Sequence, residues 1–357
     1  MGVEDGQARI DWARRSMPIS AKAAGQLQAE VASHIGIAVP LDPATASMAL
    51  WLIEAGFKVS VLGVALAHDT AQGAAELLAI LSDAGANICD SRDAFVNAGF
   101  DIALDDKGED LPDGLSRAVV LLAHEATAPD IPIIHLGASS LLQECVSKHG
   151  QGQSCVSGFL DITNLQIAGS HVLVIGYDAA GQGIAKYASS YGARVIVCEQ
   201  DPVKAVKATL DGHQVAVLDV ALPKATVVFH ALENETCLTL PQLELLPSGA
   251  FLCSAGHSQH HSLFDQIGFE VPGKIIRDHV TQHELGSGTN VKLVCNGMPI
   301  HSQLGKGFPL EIADVQIAAQ LHALATLIAP ECDLGPGLHP LPNSIEIELA
   351  KAMLEQA

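Results

Sequence analysis

The stretch HVLVIGYDAAGQGIAKYASSYGARVIVCEQDP, residues 171–202, constrains the fold more than any other part of the chain. An apolar run (171–177) leads into a glycine-bearing turn, a segment of helical periodicity follows, a second apolar run (193–199) comes next, and an acid stands at its end. Apolar runs of this length bounded by glycine read as buried parallel strands, and a helix between two of them makes a βαβ unit. Gly176 and Gly181 fill the first and third glycine positions of G-x-G-x-x-G, Gly183 adds freedom at the start of the helix, and Glu199 ends the second strand. In a Rossmann unit such glycines permit a tight turn, backbone approach to a pyrophosphate and close helix packing, while the acid takes a ribose hydroxyl pair. Glu199 favours NAD over NADP, because a 2′-phosphate would meet a like charge. The second glycine position holds Asp178, whose carboxylate is expected where cofactor phosphates approach the helix N-terminus, or else as an N-cap on the free N–H groups there. The expected cofactor-binding residues in this segment are therefore Gly176, Asp178, Gly181, Gly183 and Glu199.

The rest of the chain extends the pattern. Short Val/Ile/Leu-rich runs predict strands at 34–41, 58–64, 100–106, 117–125 and 131–137, and then at 171–177, 193–199, 225–231, 250–256, 274–280 and 291–297, with helical stretches between them. The fold class is α/β, two open and mostly parallel sheet domains, the second a Rossmann NAD-binding domain. The polar, glycine-bearing HGQGQS (149–154) reads as the connection between them. The helical stretch from about 310 is expected, on periodicity alone, to extend the second domain.

Composition narrows the partners. No apolar run nears the roughly 20 residues a bilayer span needs, and the first residues, MGVEDGQARIDWARR, do not read as a secretion signal, so a cytoplasmic protein is expected. A net charge of −21 opposes association with nucleic acid or an anionic membrane surface. The eight cysteines form no CxxC pair, which argues against disulfides and thiolate metal sites. His257, His260 and His261 have no metal-ligand spacing, so no metal is expected.

In open α/β sheets ligands bind beyond the carboxyl ends of strands. That rule selects Asp105 and Asp106, Glu125, and His257 after AFLCSAG. Gathered in an interdomain cleft, carboxylates and an imidazole can act as general acids and bases; left apart, they are helix caps or loop residues.

These residues carry a family resemblance. IAGSHVLVIGYDAAGQGIAKYASSYGARVIVCEQDPVKA, together with DWARR (11–15), LDDKGED (104–110), HEAT (124–127), CSAGH (253–257), GKGFP (305–309) and LHPLP (338–342), resembles the S-adenosylhomocysteine hydrolase family over most of the chain. The resemblance implies a substrate-like domain of 1–154 completed by 310–357, around a Rossmann NAD-binding domain of 155–309. In that family, bound NAD oxidises the substrate's 3′-hydroxyl, the 4′ proton is removed, a thiol is eliminated, water adds, and the ketone is reduced again. Asp106, Glu125 and His257 match the family's active-site residues, and Thr127 is what remains of a threonine cluster on the nicotinamide side. Elsewhere the pattern is broken. The family's catalytic lysine falls on Leu142, its aspartate on Val146, the next asparagine on Ser147 and a histidine on Phe308, and the chain lacks the family's basic tail. The resemblance thus implies an NAD-linked protein acting on a nucleoside-type or other small polar ligand with altered chemistry, in a homo-oligomer (dimer or tetramer). The alternatives are a non-catalytic paralogue in which Leu142, Val146 and Phe308 line an apolar pocket, and an NAD-dependent dehydrogenase.

Overall fold

A computed structural model describes residues 5–27, 33–63, 71–106, 111, 115–121, 130–232, 238–256, 273–303, 307–330 and 332–356. The chain divides into two units, Met1–Val146 with Gly305–Ala357, and Ser147–Leu304.

The first unit is built on seven strands: β1 (His34–Ala38), β2 (Lys58–Leu62), β3 (Asn87–Cys89), β4 (Ile102–Asp105), β5 (Arg117–Val120), β6 (Pro132–His135) and β15 (Gly337–Pro340). They lie in the order β15-β6-β5-β4-β1-β2-β3, and every pairing is parallel. A parallel sheet needs helices on both faces. The helix Pro43–Glu54 follows β1, with Met48 and Leu52 fully buried, and the helix Leu310–Ile328 buries Val315, Leu321, Leu324 and Leu327 in the same core. That second helix is locked in place by Asp314. Its carboxylate accepts from Ile19 N (3.0 Å) and Ser20 N (2.6 Å), capping the helix Pro18–Ala24, while its carbonyl accepts from Ser20 Oγ at 2.6 Å. The last helix, Asn343–Gln356, is tied down by Glu346, whose Oε1 accepts from Ser139 Oγ (2.8 Å), Ser140 Oγ (3.0 Å) and Leu141 N (2.7 Å).

The second unit contains β7 (His171–Ile175), β8 (Arg194–Cys198), β9 (Gln214–Val215), β10 (Val227–His230), β11 (Ala250–Ser254), β12 (Gly273–Arg277), β13 (Val280–Glu284) and β14 (Asn290–Val294). Their order is β12-β13-β14-β11-β10-β7-β8-β9. From β9 to β14 this is the 3-2-1-4-5-6 order of a doubly wound dinucleotide domain, with an antiparallel hairpin added at the far edge. The first unit, read from β3 through β1 and β4 to β6, repeats that order.

Two differences from expectation have physical causes. The run 274–280 is not one strand but spans β12, a turn at Asp278 and His279, and the start of β13; the turn uses His279 at φ +62° instead of the Asn-Gly or Asp-Gly that would have announced it. β3, β9 and β15 went unpredicted because each is short and carries no apolar run. Of the strand expected over 117–125, Arg117–Val120 is observed, and 122–125 lie outside the described residues. No described helix is long and apolar enough to cross a membrane.

Candidate functional site

In the second unit the chain leaves β7 for β8 and β9, then returns to β10 on the other side of β7. The crevice beyond the carboxyl ends of β7 and β10 is therefore the topological switch point where ligands bind. Gly176 forms its floor at φ +93°, and a Cβ there would stand 2.6 Å from Leu232 Cδ2. Gly181, in the first turn of the helix Ala179–Ser190, packs on the Gly176 carbonyl so closely that a Cβ would overlap it. Gly183 is needed for packing and not for turn freedom: it lies on a helical backbone, a Cβ would overlap the Lys148 carbonyl, and the facing Gly152 is equally tight, its Cβ falling 2.6 Å from Gly183 Cα.

Glu199 holds this turn from the side. Its Oε2 accepts from Tyr177 N at 2.7 Å and its Oε1 from Asp201 N at 2.8 Å. Each oxygen keeps a second lone pair for a ribose hydroxyl. Asp178 occupies the N-cap position of Ala179–Ser190, but its side chain makes no capping hydrogen bond, which corrects the N-cap expectation. Its carboxylate pairs instead with Lys204 Nζ at 2.6 Å, both groups being well exposed. The Asp178 hydrogen bond, together with the charges of Asp178, Glu199 and Asp201, raises the Lys204 pKa against a smaller desolvation effect. The first N–H groups of the helix thus face the crevice without a carboxylate consuming them, the arrangement that binds a phosphate. A glycine cradle, an unshielded helix N-terminus and a fixed acid at the end of β8 fit the pyrophosphate and adenine ribose of NAD.

The other half of the crevice is formed by the ends of β10, β11 and β14. Gln151 meets the chain just after β11 from the last position of a π-helix, Gln143–Gln151, a helix type found often at functional sites. Its side chain is 0% exposed, its Nε2 donates to the Ala255 carbonyl just after β11, and its Oε1 has no partner. After β14 three successive residues take left-handed backbone, Cys295 (φ +51°), Asn296 (φ +51°) and Gly297 (φ +79°), an uncommon run for non-glycine residues. Sequence reasoning missed Gln151 because HGQGQS read as a linker. Deeper in this unit, burial pushes the Cys155 thiol up to about 12 and the His301 imidazole down to about 4, with Sγ and Nδ1 3.9 Å apart, so both stay neutral.

In the first unit the switch point lies between β1 and β4. Asp105 is 2% exposed at the end of β4, and the half-buried Asp106 donates its N–H to the Ala38 carbonyl of β1 at 3.3 Å. Asp42, which sequence reasoning missed, follows β1. It accepts from Thr45 N at 2.8 Å as N-cap of Pro43–Glu54, and a Cβ on Gly307 (φ +67°) would overlap its Oδ2. Burial raises its pKa, opposed by the hydrogen bonds of Thr45 and Ala44 and by the charge of Arg9. An N-cap was legible in the LDP sequence ahead of an apolar helix. Leu142 is buried in the main core of this unit and Val146 packs against that core, whereas Phe308 is half-buried next to Gly307. Glu125, Thr127 and His257, with His260 and His261, lie outside the described residues. Among the described residues no group of three or more His, Cys, Asp or Glu side chains is placed to hold a metal ion.

Comparison with known proteins agrees with the doubly wound architecture of the second unit. Residues 147–305 match the family described as S-adenosyl-L-homocysteine hydrolase, NAD binding domain. An adenosylhomocysteinase of Thermotoga maritima is 29% identical, covering 99% of this chain and 95% of the relative. An S-inosyl-L-homocysteine hydrolase of Methanopyrus kandleri is 26% identical over 98% of this chain and 90% of its own. An adenosylhomocysteinase of Thermoplasma volcanium reaches 31% identity over 59% of this chain and 52% of the relative.

Proposed function

We propose that this chain, whose residues 147–305 match the S-adenosyl-L-homocysteine hydrolase NAD binding domain and which is similar to adenosylhomocysteinases over nearly all of its length, holds NAD over Gly176, Asp178, Gly181, Gly183 and Glu199 and acts on a nucleoside-type ligand by altered chemistry. Thr127 belongs on the nicotinamide side in this reading, and Asp106, Glu125 and His257 supply the acid–base groups. Bound there, NAD supplies a hydride acceptor. The protein's own groups bind the ligand hydroxyls and move protons to or from them.

The observation that carries the altered chemistry is Leu142. The resemblance puts the family's catalytic lysine at this position, and here the side chain is 5% exposed inside the first unit's main core. Val146, where the family has an aspartate, packs against the same core. Neither side chain can accept a proton or bind a hydroxyl, so the oxidation and proton-abstraction steps lose the groups that assist them. Asp106 remains at the β1–β4 switch point, on backbone fixed to β1.

The test is to denature the purified protein and assay the supernatant for dinucleotide by mass spectrometry. The intact protein is then mixed with adenosine, inosine and S-adenosylhomocysteine while dihydronicotinamide absorbance and thiol release are followed. Near-stoichiometric NAD, ligand binding that weakens in Asp106→Ala, and thiol release far slower than that of the Thermotoga maritima relative are expected. Hydrolysis as fast as that relative's would overturn the altered chemistry. Absence of dinucleotide, with no thermal shift on adding NAD, would overturn the cofactor reading. Assembly into a homo-oligomer belongs to the same proposal, and a monomer by light scattering would remove it.

A further inference from the structure

A buried polar atom without a partner is costly, and native structures contain few of them. Gln151 Oε1 is one: the side chain is fully buried, its Nε2 is committed to the Ala255 carbonyl, and the oxygen is left unmatched. Flipping the amide does not relieve it, because that sets two acceptors, Oε1 and the Ala255 carbonyl, against each other. The unmet need is therefore for a donor, at a spot fixed by the end of β11.

The fold says which ligand atom can supply it. A doubly wound domain takes one nucleotide on each half of its sheet. Glu199, at the end of β8 and bonded to the Tyr177 N–H, assigns the adenosine half to β7, β8 and β9. The nicotinamide half then falls to β10, β11 and β14, where Gln151 meets the chain after β11. The nicotinamide carboxamide carries an NH2 group whose hydrogens need acceptors. Resting on the NAD reading above, we infer that Gln151 positions the nicotinamide ring, its Oε1 accepting a hydrogen bond from the carboxamide amino group. The contact selects one rotation of the ring about its glycosidic bond and hence the face that receives hydride. The glycine contact beneath supports the placement. Gly152, the next residue, is pressed on Gly183 of the cofactor helix, so the main chain carrying Gln151 is set by the same packing that sets the phosphate-facing helix.

The test is a comparison of dinucleotide affinities by competition at equilibrium, using NAD, 3-acetylpyridine adenine dinucleotide and ADP-ribose on the intact protein and on Gln151→Leu and Gln151→Met. The acetylpyridine analogue keeps both riboses and the ring but has a methyl ketone in place of the amide, so it has no N–H to give. The unaltered protein should bind NAD about tenfold more tightly than the analogue. Both variants should bind the two dinucleotides within about twofold of each other, with ADP-ribose affinity unchanged.

Equal affinity of the unaltered protein for NAD and the analogue overturns the inference, whether or not the variants fold. Loss of affinity for both dinucleotides to the same degree in the variants also overturns it, since Gln151 would then serve a ribose hydroxyl or a buried water. If neither ADP-ribose nor NAD binds the unaltered protein, it is the cofactor reading itself that fails.

Discussion

Replacing Gly181 by alanine tests whether the glycine turn is a packing device or only a sequence pattern. Two effects oppose each other. Alanine is a better helix former than glycine by about 1 kcal/mol in a helix interior, and Gly181 lies in the first turn of Ala179–Ser190, where that gain is smaller. Against it stands the added Cβ, which overlaps the Gly176 carbonyl oxygen and lies 2.9 Å from its carbon. Both atoms are backbone, so no side-chain rotation relieves the clash, and overpacking of this kind costs roughly 1–3 kcal/mol. The clash wins, with a net loss of about 2 kcal/mol. For a unit of this size that lowers its thermal midpoint by roughly 4–8 °C.

The helix must also move away from the β7 turn, so NAD affinity should fall with stability. The control is Gly286→Ala in the same unit, where a Cβ meets only Glu244 Oε1, at 3.9 Å, and no positive φ opposes the change. Thermal unfolding with and without NAD reads both variants. If Gly181→Ala melts with Gly286→Ala and binds NAD equally well, close helix packing is not the reason for glycine at 181.

Two further expectations concern charges. Lys204→Ala should leave stability within about 0.5 kcal/mol, because the Asp178 pair is exposed. It should nevertheless weaken NAD about fivefold by leaving a bare carboxylate beside the phosphate site, an effect that shrinks with added salt and disappears in the double variant with Asp178→Gly; unchanged affinity in low salt would remove Lys204 from the site. Glu346→Gln should destabilise the first unit by about 1 kcal/mol, since a carboxylate accepting three hydrogen bonds is replaced by a weaker acceptor. The Leu141 N–H and the two serine hydroxyls hold the Glu346 pKa below its ordinary value of 4.5. Its contribution is therefore complete above pH 4.5 and lost as pH falls through the lower folded value. The difference between the two proteins in denaturant melts should close on acidification, and a constant difference would contradict the assignment.

What the sequence disclosed follows period and punctuation. Buried parallel strands such as Val172–Ile175 are apolar on both faces and announce themselves, as does the glycine at a turn that needs φ +93°. What stayed hidden depends on partners distant in sequence. Gly152 is an unremarkable linker glycine until Gly183 is found opposite it, and Gln151 is a polar linker residue until the chain after β11 takes its amide. Asp178 reads as an obstacle to phosphate until Lys204, one helix later, draws its carboxylate aside. The apolar periodicity of 310–328 predicts a buried helix, but the expectation that it extends the second domain was wrong, because periodicity does not say which core receives it. Asp314, bonded to Ile19 and Ser20, places it in the first.

The two units share a strand order yet treat the helix after their first strand in opposite ways. In the second unit Asp178 stands at the N-cap without capping, and the N–H groups at the switch point remain available to an anion. In the first, Asp42 stands at the equivalent place after β1 and spends its carboxylate on Thr45 N, while Asp105 and Asp106 stand at the neighbouring strand end. A phosphate approaching there would meet carboxylates and a helix whose cap is already made. Hydroxyl groups would meet acceptors. One topology thus offers two chemistries, an anion cradle in one unit and a carboxylate-lined strand end in the other. A dinucleotide suits the first of these chemistries, and the second suits the uncharged, hydroxyl-bearing ligand that the proposed function calls for.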